Sequence, residues 1–160
     1  MEMMKRFVVG MLVVASLVLA VWAVSVAASS GQDHRLVIGV RLDFKSSTHA
    51  VGTFAACCSV NDSGAASADV TSFVPKPNGN DASFEATNTY VGANGSFTIR
   101  LGGITGPLDS LRHVAHAHWR VIEGTGAYAD LTGEGQLRAV TDEDTGALTA
   151  IADGEGQTAG

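Results

Sequence analysis

Apolar and polar residues alternate along the chain over residues 34–44. Leu36, Ile38, Val40, Leu42 and Phe44 fall on one face, and Arg35, Arg41 and Asp43 fall on the other. A repeat of two residues is typical of a β-strand with one buried side. The same alternation recurs more weakly and predicts about eight strands, the others over residues 50–60, 68–74, 83–91, 96–104, 113–122, 134–140 and 147–153.

Short clusters of Gly, Asn and Asp separate these segments, at residues 61–64, 77–80, 93–95 and 144–146. These residue types tolerate positive φ in hairpin turns, so neighbouring strands are expected to pair antiparallel. No run after Ser29 has the pattern of a helix of three turns. The sequence therefore predicts one all-β domain over residues 34–160, folded as a single closed antiparallel barrel. A two-sheet sandwich is the alternative.

The first 28 residues have the order of a secretory signal peptide. Lys5 and Arg6 precede an apolar run over residues 7–24, and small residues follow. Cleavage after Ala27 or Ala28 would leave residues 29–33 as a polar leader. The alternative is an uncleaved anchor, since the run is near the ~20 residues that cross a bilayer. Either reading predicts a secreted or extracytoplasmic domain, whose membrane contact is limited to an uncleaved N-terminal segment.

The charge balance excludes some partners. The formal net charge is −6, and 10 Lys and Arg residues are spread along the chain. Because no basic face can neutralise phosphates, nucleic acid is not an expected partner. The sequence contains neither of the glycine-rich phosphate-binding motifs, G-x-G-x-x-G before a helix and G-x-x-x-x-G-K-S/T. It also lacks the G-x-S-x-G nucleophile elbow. No cofactor is predicted.

The most distinctive stretch covers residues 119–135, which read as a strand, a tight loop and a second strand. Its glycines permit backbone angles that are closed to other residues, and Tyr128 and Leu131 are placed to plug one end of an apolar interior. We predict a structural role for the set Gly124, Gly126, Tyr128, Leu131 and Gly133.

Residues 119–135, together with residues 52–54 (Gly-Thr-Phe) and 95–98 (Gly-Ser-Phe-Thr), resemble the allene oxide cyclase-like barrel group. That group includes secreted bacterial proteins and, more distantly, plant dirigent proteins. The resemblance implies an eight-stranded antiparallel barrel with an apolar cavity. Plant cyclases of this kind fold an unsaturated epoxide, dirigent proteins orient phenolic radicals, and both form oligomers. A homo-oligomer is thus a possible state here, but the catalytic residues of these families find no match in this chain.

Strand parity selects polar residues that could face the interior. Asn88 and Tyr90 share a face with Phe84 and Ala86, so they are polar positions in an apolar row. Buried polar atoms need partners, which could be each other, water or a ligand. His113 shares a face with Trp119 and is either a core histidine or a cavity group. The predicted cavity set is Asn88, Tyr90, His113, Trp119 and Glu123.

Two further clusters carry candidate chemistry. His116 and His118 have a spacing that could chelate a metal, but parity places both on the solvent side, so no metal site is predicted. Cys57 and Cys58 are adjacent, and Cα atoms about 3.8 Å apart fall short of the ~4.4 Å minimum of an unstrained disulfide, so the two are not expected to pair with each other. Parity predicts that Cys58 is buried and that Cys57 is exposed, where it could cross-link two chains or form a mixed disulfide.

Three functions remain open from the sequence. The leading hypothesis is a secreted, non-enzymatic barrel that binds a small, mostly apolar molecule in its interior. The second is a cyclase or isomerase that shapes a reactive substrate, assisted by Asn88, Tyr90, His113 or Glu123. The third is a cell-surface structural module, which would have an interior packed solid with side chains.

Overall fold

The computed structural model describes residues 34–159. The predicted signal peptide (1–28) and polar leader (29–33) lie outside the described residues. Eight strands follow one another along the chain: β1 (Arg35–Phe44), β2 (His49–Cys58), β3 (Asp62–Pro75), β4 (Ala82–Gly92), β5 (Ser96–Pro107), β6 (Arg112–Gly124), β7 (Thr132–Asp142) and β8 (Ala147–Gln157). A single 3₁₀ turn, Gly126–Tyr128, lies between β6 and β7. None of the helical structure within residues 34–159 is long and apolar enough to span a membrane.

The strands form a closed barrel in which each pairs antiparallel with its neighbours in sequence. β8 pairs with β1 and completes the circle, with Ile38 opposite Ala152. This architecture confirms the predicted all-β fold and selects the barrel over the sandwich. Closure also removes the unpaired edges that an open sheet would expose.

Alternation along each strand determines which side chains fill the interior. On β1, Leu36, Ile38 and Leu42 are fully buried, whereas Arg35 and Arg41 are exposed. On β6, Trp119 is 2% exposed and lies between two exposed residues, His118 and Arg120. The predicted division between inner and outer faces is thus confirmed for β1 and for β6 up to Val121.

β3 differs most from its predicted bounds. Residues 61–64 were expected to form a turn, yet β3 already begins at Asp62 and reaches Pro75. Its first half is built of Ser, Gly and Ala, whose small side chains give little contrast between the two faces. The connection from β2 is therefore limited to residues 59–61.

The barrel has two different ends. The loops at residues 59–61, 93–95 and 125–131 lie at one end, which we call the closed end. The loops at residues 45–48, 76–81, 108–111 and 143–146 lie at the other, which we call the open end. β1 begins and β8 finishes at the closed end, where Gly156 N donates to His34 O over 2.6 Å.

Two bulges interrupt the regular pairing. Thr71 is an extra residue between β3 and β4, where the register shifts from Val70 to Ser72. Ile122 is an extra residue between β5 and β6, where Val121 pairs with Ile99 but Glu123 pairs with Thr98. Each bulge exchanges the inner and outer faces for the residues that follow it.

Candidate ligand-binding site

A cavity of about 600 Å³ occupies the open half of the barrel. Its lining is mostly aliphatic and aromatic, and the exposed loop residues Ser47 and Thr48 form part of its rim, so it opens to solvent. Polar side chains enter the lining at a few positions, namely Asn88, Thr105, His113, Thr141 and Glu143.

The cavity exists because alanines occupy many inward positions of the open half. Ala115, Ala139 and Ala150 lie side by side across β6, β7 and β8, since Ala115 pairs with Ala139 and Ala139 with Ala150. Ala50 pairs with Ala68 in the same way on the opposite wall. An eight-stranded barrel is just wide enough for larger side chains to fill it. Alanine side chains at these positions are too small to fill the interior, so a cavity remains.

Aromatic side chains fill the barrel toward the closed end. Ring centroids are 5.1 Å apart for Phe54 and Tyr90, 4.9 Å for Tyr90 and Phe97, and 5.5 Å for Phe97 and Tyr128. These separations are typical of favourable aromatic packing. The cluster therefore fills the interior on the closed-end side of the cavity.

Asn88 lies where the cavity meets this aromatic cluster. It is buried, lines the cavity, and donates from Nδ2 to Tyr90 Oη over 3.2 Å. Burial raises the pKa of Tyr90 to about 12, although the hydrogen bond from Asn88 acts in the opposite direction. The phenol is therefore neutral at physiological pH. An amide has one acceptor oxygen and two N–H donors, so a single bond leaves Asn88 with capacity for a ligand.

His113 and Glu143 form a polar pair at the mouth. His113 Nε2 lies 2.9 Å from Glu143 Oε1, and both side chains line the cavity while remaining partly exposed. The pair joins β6 to the loop between β7 and β8. The pair thus places hydrogen-bonding groups that are in contact with water at the mouth of the cavity.

Phe73 forms an apolar part of the rim. The bulge at Thr71 places it opposite Phe84, on the inner face, although it is 59% exposed. The pairing of β3 with β2 ends at Asp69, so this part of β3 is held by β4 on one side only. Phe73 thus overhangs the entrance rather than packing in the core.

The structure separates the five predicted cavity residues. Asn88 and His113 line the cavity, whereas Tyr90 packs beneath it in the aromatic cluster. Trp119 lies deeper in the barrel, with its Nε1 donating to Gln136 O over 3.0 Å, and it does not line the cavity. Glu123 is exposed on the outer surface, because the bulge at Ile122 reverses the parity on which its inward placement depended.

The five predicted structural residues lie at the closed end. Tyr128 and Leu131 are buried there. Gly126 has φ 59°, and a Cβ at Gly124 would lie 1.7 Å from Tyr128 O, so both positions require glycine. Gly133 is similarly close to the backbone of β8, since a Cβ there would lie 2.6 Å from Glu155 O.

The sequence did not reveal the partner that anchors this plug. Tyr128 Oη donates to Asp62 Oδ2 over 2.8 Å. The amide of Asn94 and the hydroxyl of Tyr128 lower the pKa of Asp62 to about 2. In the sequence Asp62 has the pattern of an ordinary turn residue, and only its many hydrogen bonds in the folded chain distinguish it.

Two other clusters lie outside the cavity. His116 and His118 are exposed on the outer face, as parity predicts. In the described part of the chain no group of three or more His, Cys, Asp or Glu side chains could hold a metal ion. Both cysteines are exposed free thiols. The predicted burial of Cys58 is wrong, because the backbone leaves the extended conformation there with φ 87°.

Some lining residues escaped the sequence analysis. Phe73 was hidden by the bulge at Thr71, and Glu143 lies in a loop, where parity gives no information. The inward alanines of β6, β7 and β8 are present in the sequence, but only the strand pairing brings them side by side. Comparison of the chain with protein-family models, with curated proteins and with solved structures gives no match. The function is therefore inferred from the cavity itself.

Proposed function

We propose that the barrel binds one small, mostly apolar molecule that carries a hydrogen-bonding group. The observation that carries this proposal is the cavity of about 600 Å³, which is apolar, open to solvent and lined by a few polar side chains. Binding sites for small molecules typically measure ~300–1,000 Å³ and combine an apolar lining with a few polar groups that fix orientation.

The lining suggests how such a molecule would lie. Its apolar body would contact the alanines of β6, β7 and β8, where each buried methylene contributes about 0.8 kcal/mol. Its polar group would meet either Asn88 at the base of the cavity or the His113–Glu143 pair at the mouth. A polar group at either place keeps its hydrogen bonds, so little of the apolar contribution is lost to desolvation.

A fluorescent apolar dye tests the proposal. Phenylnaphthylamine brightens in apolar surroundings, and titration into the protein should give saturable binding of one dye per chain. Ala115→Phe places a ring in the cavity and should weaken binding by about tenfold or more, a change of at least ~1.4 kcal/mol. His116→Phe is the matched control, because it adds the same ring one residue away on the outer face.

The same two variants can also contradict the proposal. If both bind the dye as the wild type does, or if both lose it equally, the dye is not in the cavity. If only Ala115→Phe weakens binding, competition by a series of fatty alcohols and phenols would identify the preferred class of ligand. Ligands that bind should also raise the melting temperature, since they bind only the folded state.

A cyclase or isomerase is the second candidate, favoured by the His113–Glu143 contact of 2.9 Å at the mouth of the cavity. A carboxylate beside an imidazole can orient it for proton transfer. The resemblance to the allene oxide cyclase-like group suggests an unsaturated fatty epoxide as the substrate to try. This candidate would be supported if the wild type converts the epoxide to a cyclic product and His113→Ala does not. If the epoxide stays unconverted but competes with the dye, binding alone would be supported.

We further propose that the chain is exported. Lys5 and Arg6 followed by the apolar run over residues 7–24 support export. Intact mass measured on protein recovered outside the cytoplasm should show a chain that begins at Ala28 or Ser29. A full-length chain in the membrane fraction would indicate the anchor, and a full-length cytosolic chain would contradict export.

A further inference from the structure

Two adjacent thiols lie on the outer surface at the closed end of the barrel. Cys57 and Cys58 are the last residues of β2, and both are exposed. They lie far along the barrel from the cavity mouth, where β2 begins at His49. Their chemistry is therefore separate from the proposed binding site.

The backbone brings the two sulfur atoms together. In an extended strand, neighbouring side chains point to opposite faces, so adjacent thiols would be separated by the sheet. Here Cys58 has φ 87°, and among the described residues it is the one non-glycine position with positive φ. As a result Cys57 Sγ and Cys58 Sγ are 2.7 Å apart on the same side.

A charged pair lies beside the thiols. Arg35 donates from Nε to Asp153 Oδ1 over 3.1 Å and from Nη2 to Asp153 Oδ2 over 2.9 Å. Burial and the hydrogen bond with Cys58 raise the pKa of the Cys57 thiol to about 11, and the positive charge of Arg35 opposes this rise. Cys57 is therefore almost entirely a thiol near neutral pH, so exchange at this residue should be faster at alkaline pH.

We propose that Cys57 and Cys58 form a reversible dithiol–disulfide site that exchanges with small soluble disulfides. The distance between the two sulfur atoms, the shared face and the turned backbone at Cys58 carry this proposal. The substrate class is a low-molecular-weight disulfide, of which oxidised glutathione is the probe used below.

The exchange balances in two steps. The thiolate of one cysteine attacks a sulfur of the soluble disulfide, forms a mixed disulfide and releases one soluble thiol. The second cysteine, as thiolate, then attacks the protein sulfur of that mixed disulfide, closes the Cys57–Cys58 bond and releases a second soluble thiol. Two electrons pass from the protein to the soluble disulfide, and the two cysteine protons end on the two released thiols.

The bond so formed is expected to be easily reduced. Adjacent Cα atoms lie about 3.8 Å apart, below the ~4.4 Å of unstrained disulfides, and strain makes the bond more reducible. Strained and exposed disulfides are the labile ones, in contrast to buried structural ones. The pair therefore suits reversible exchange better than permanent cross-linking of the fold.

Oxidised glutathione and intact mass spectrometry test the proposal. The full chain, reduced and freed of reductant, is incubated with the disulfide, and the peptide containing both cysteines is then analysed. The wild type should lose the mass of two hydrogen atoms and keep no glutathione. Cys57→Ser and Cys58→Ser should each retain one glutathione instead, because neither has a second thiol to release it. Dithiothreitol should restore the original mass of all three proteins.

Phenylarsine oxide gives a second measurement that requires no oxidation. It bridges two neighbouring thiols with loss of one water, so the wild type should capture one arsenical per chain and each single variant should capture none under the same wash. Accumulation of glutathione adducts or disulfide-linked dimers on the wild type, without loss of two hydrogens, would overturn the proposal. Equal arsenical capture by the wild type and the single variants would overturn it as well.

Discussion

Asp62 joins three separate backbone segments at the closed end of the barrel. Its carboxylate accepts hydrogen bonds from the amides of Ser63, Ala93 and Asn94 over 2.8, 3.1 and 3.1 Å, and from the hydroxyl of Tyr128 over 2.8 Å. Donors that point at a carboxylate stabilise its charged form, which explains the pKa of about 2. The residue thus fixes both the hairpin at 93–95 and the plug that Tyr128 provides.

Asp62→Asn should lower stability at neutral pH. The folded pKa of about 2 lies below the ~3.9 of an unfolded aspartate, so this carboxylate stabilises the fold above about pH 4. The contribution is lost as pH falls through the folded value. Thermal melts between pH 7 and pH 2 should therefore show a difference between wild type and variant that shrinks toward acid. Asp130→Asn is the control, because Asp130 is exposed at the same end of the barrel. If the stability difference between wild type and Asp62→Asn does not change with pH, the role assigned to the Asp62 carboxylate is wrong.

Tyr90→Phe tests the polar pair at the base of the cavity. The change removes the oxygen to which Asn88 donates over 3.2 Å and leaves a buried amide without that partner. We expect a loss of about 1–2 kcal/mol in the free energy of unfolding by urea. In an Asn88→Leu background the same change should cost less, because no amide is stranded. Equal costs in both backgrounds would show that the two side chains are not coupled.

At the scale of the strands, two bulges decide which residues reach the interior. Alternation correctly placed the inward residues of β1 and the first part of β6, because regular pairing repeats every two residues. The bulge at Ile122 turns Glu123 outward, and the bulge at Thr71 turns Phe73 inward. An extra residue leaves little trace in a hydrophobic pattern, so neither reversal was visible before the strands were paired.

Phe73→Ser should weaken binding of the apolar dye, because Phe73 faces the rim of the cavity. Loss of that contact should reduce affinity by roughly threefold to tenfold, or ~1 kcal/mol. Val74→Ser is the matched control, since Val74 is 56% exposed and points away from the mouth. Fluorescence titration measures both, and a larger effect at Val74 would contradict the assigned faces.

At the scale of the whole molecule, the barrel divides into a filled half and a hollow half. The repeating pattern and the turn residues were enough to predict about eight antiparallel strands and to favour a barrel. A sandwich has the same pattern, and only the pairing of β8 with β1 excludes it. The volume of the interior was not predictable in the same way. The volume depends on which inward residues lie side by side on neighbouring strands, and the register of strand pairing determines this. The alanines of β6, β7 and β8 form one wall only because they pair directly.

The same substitution should have different costs in the two halves. Phe97→Ala removes a fully buried ring from the aromatic cluster and should cost about 3–5 kcal/mol. Phe44→Ala removes a partly buried ring that borders the cavity, and should cost under ~2 kcal/mol because that ring already lacks neighbours on one side. Urea unfolding of both variants gives the comparison. Equal costs would contradict the unequal filling of the barrel.

Both termini of the barrel emerge at the end remote from the cavity mouth, since β1 begins at Arg35 and β8 finishes at Gln157. A bead, a carrier protein or a cell envelope attached through either terminus would therefore leave the entrance unobstructed. Attachment through a terminus and access to the cavity are therefore compatible in this barrel.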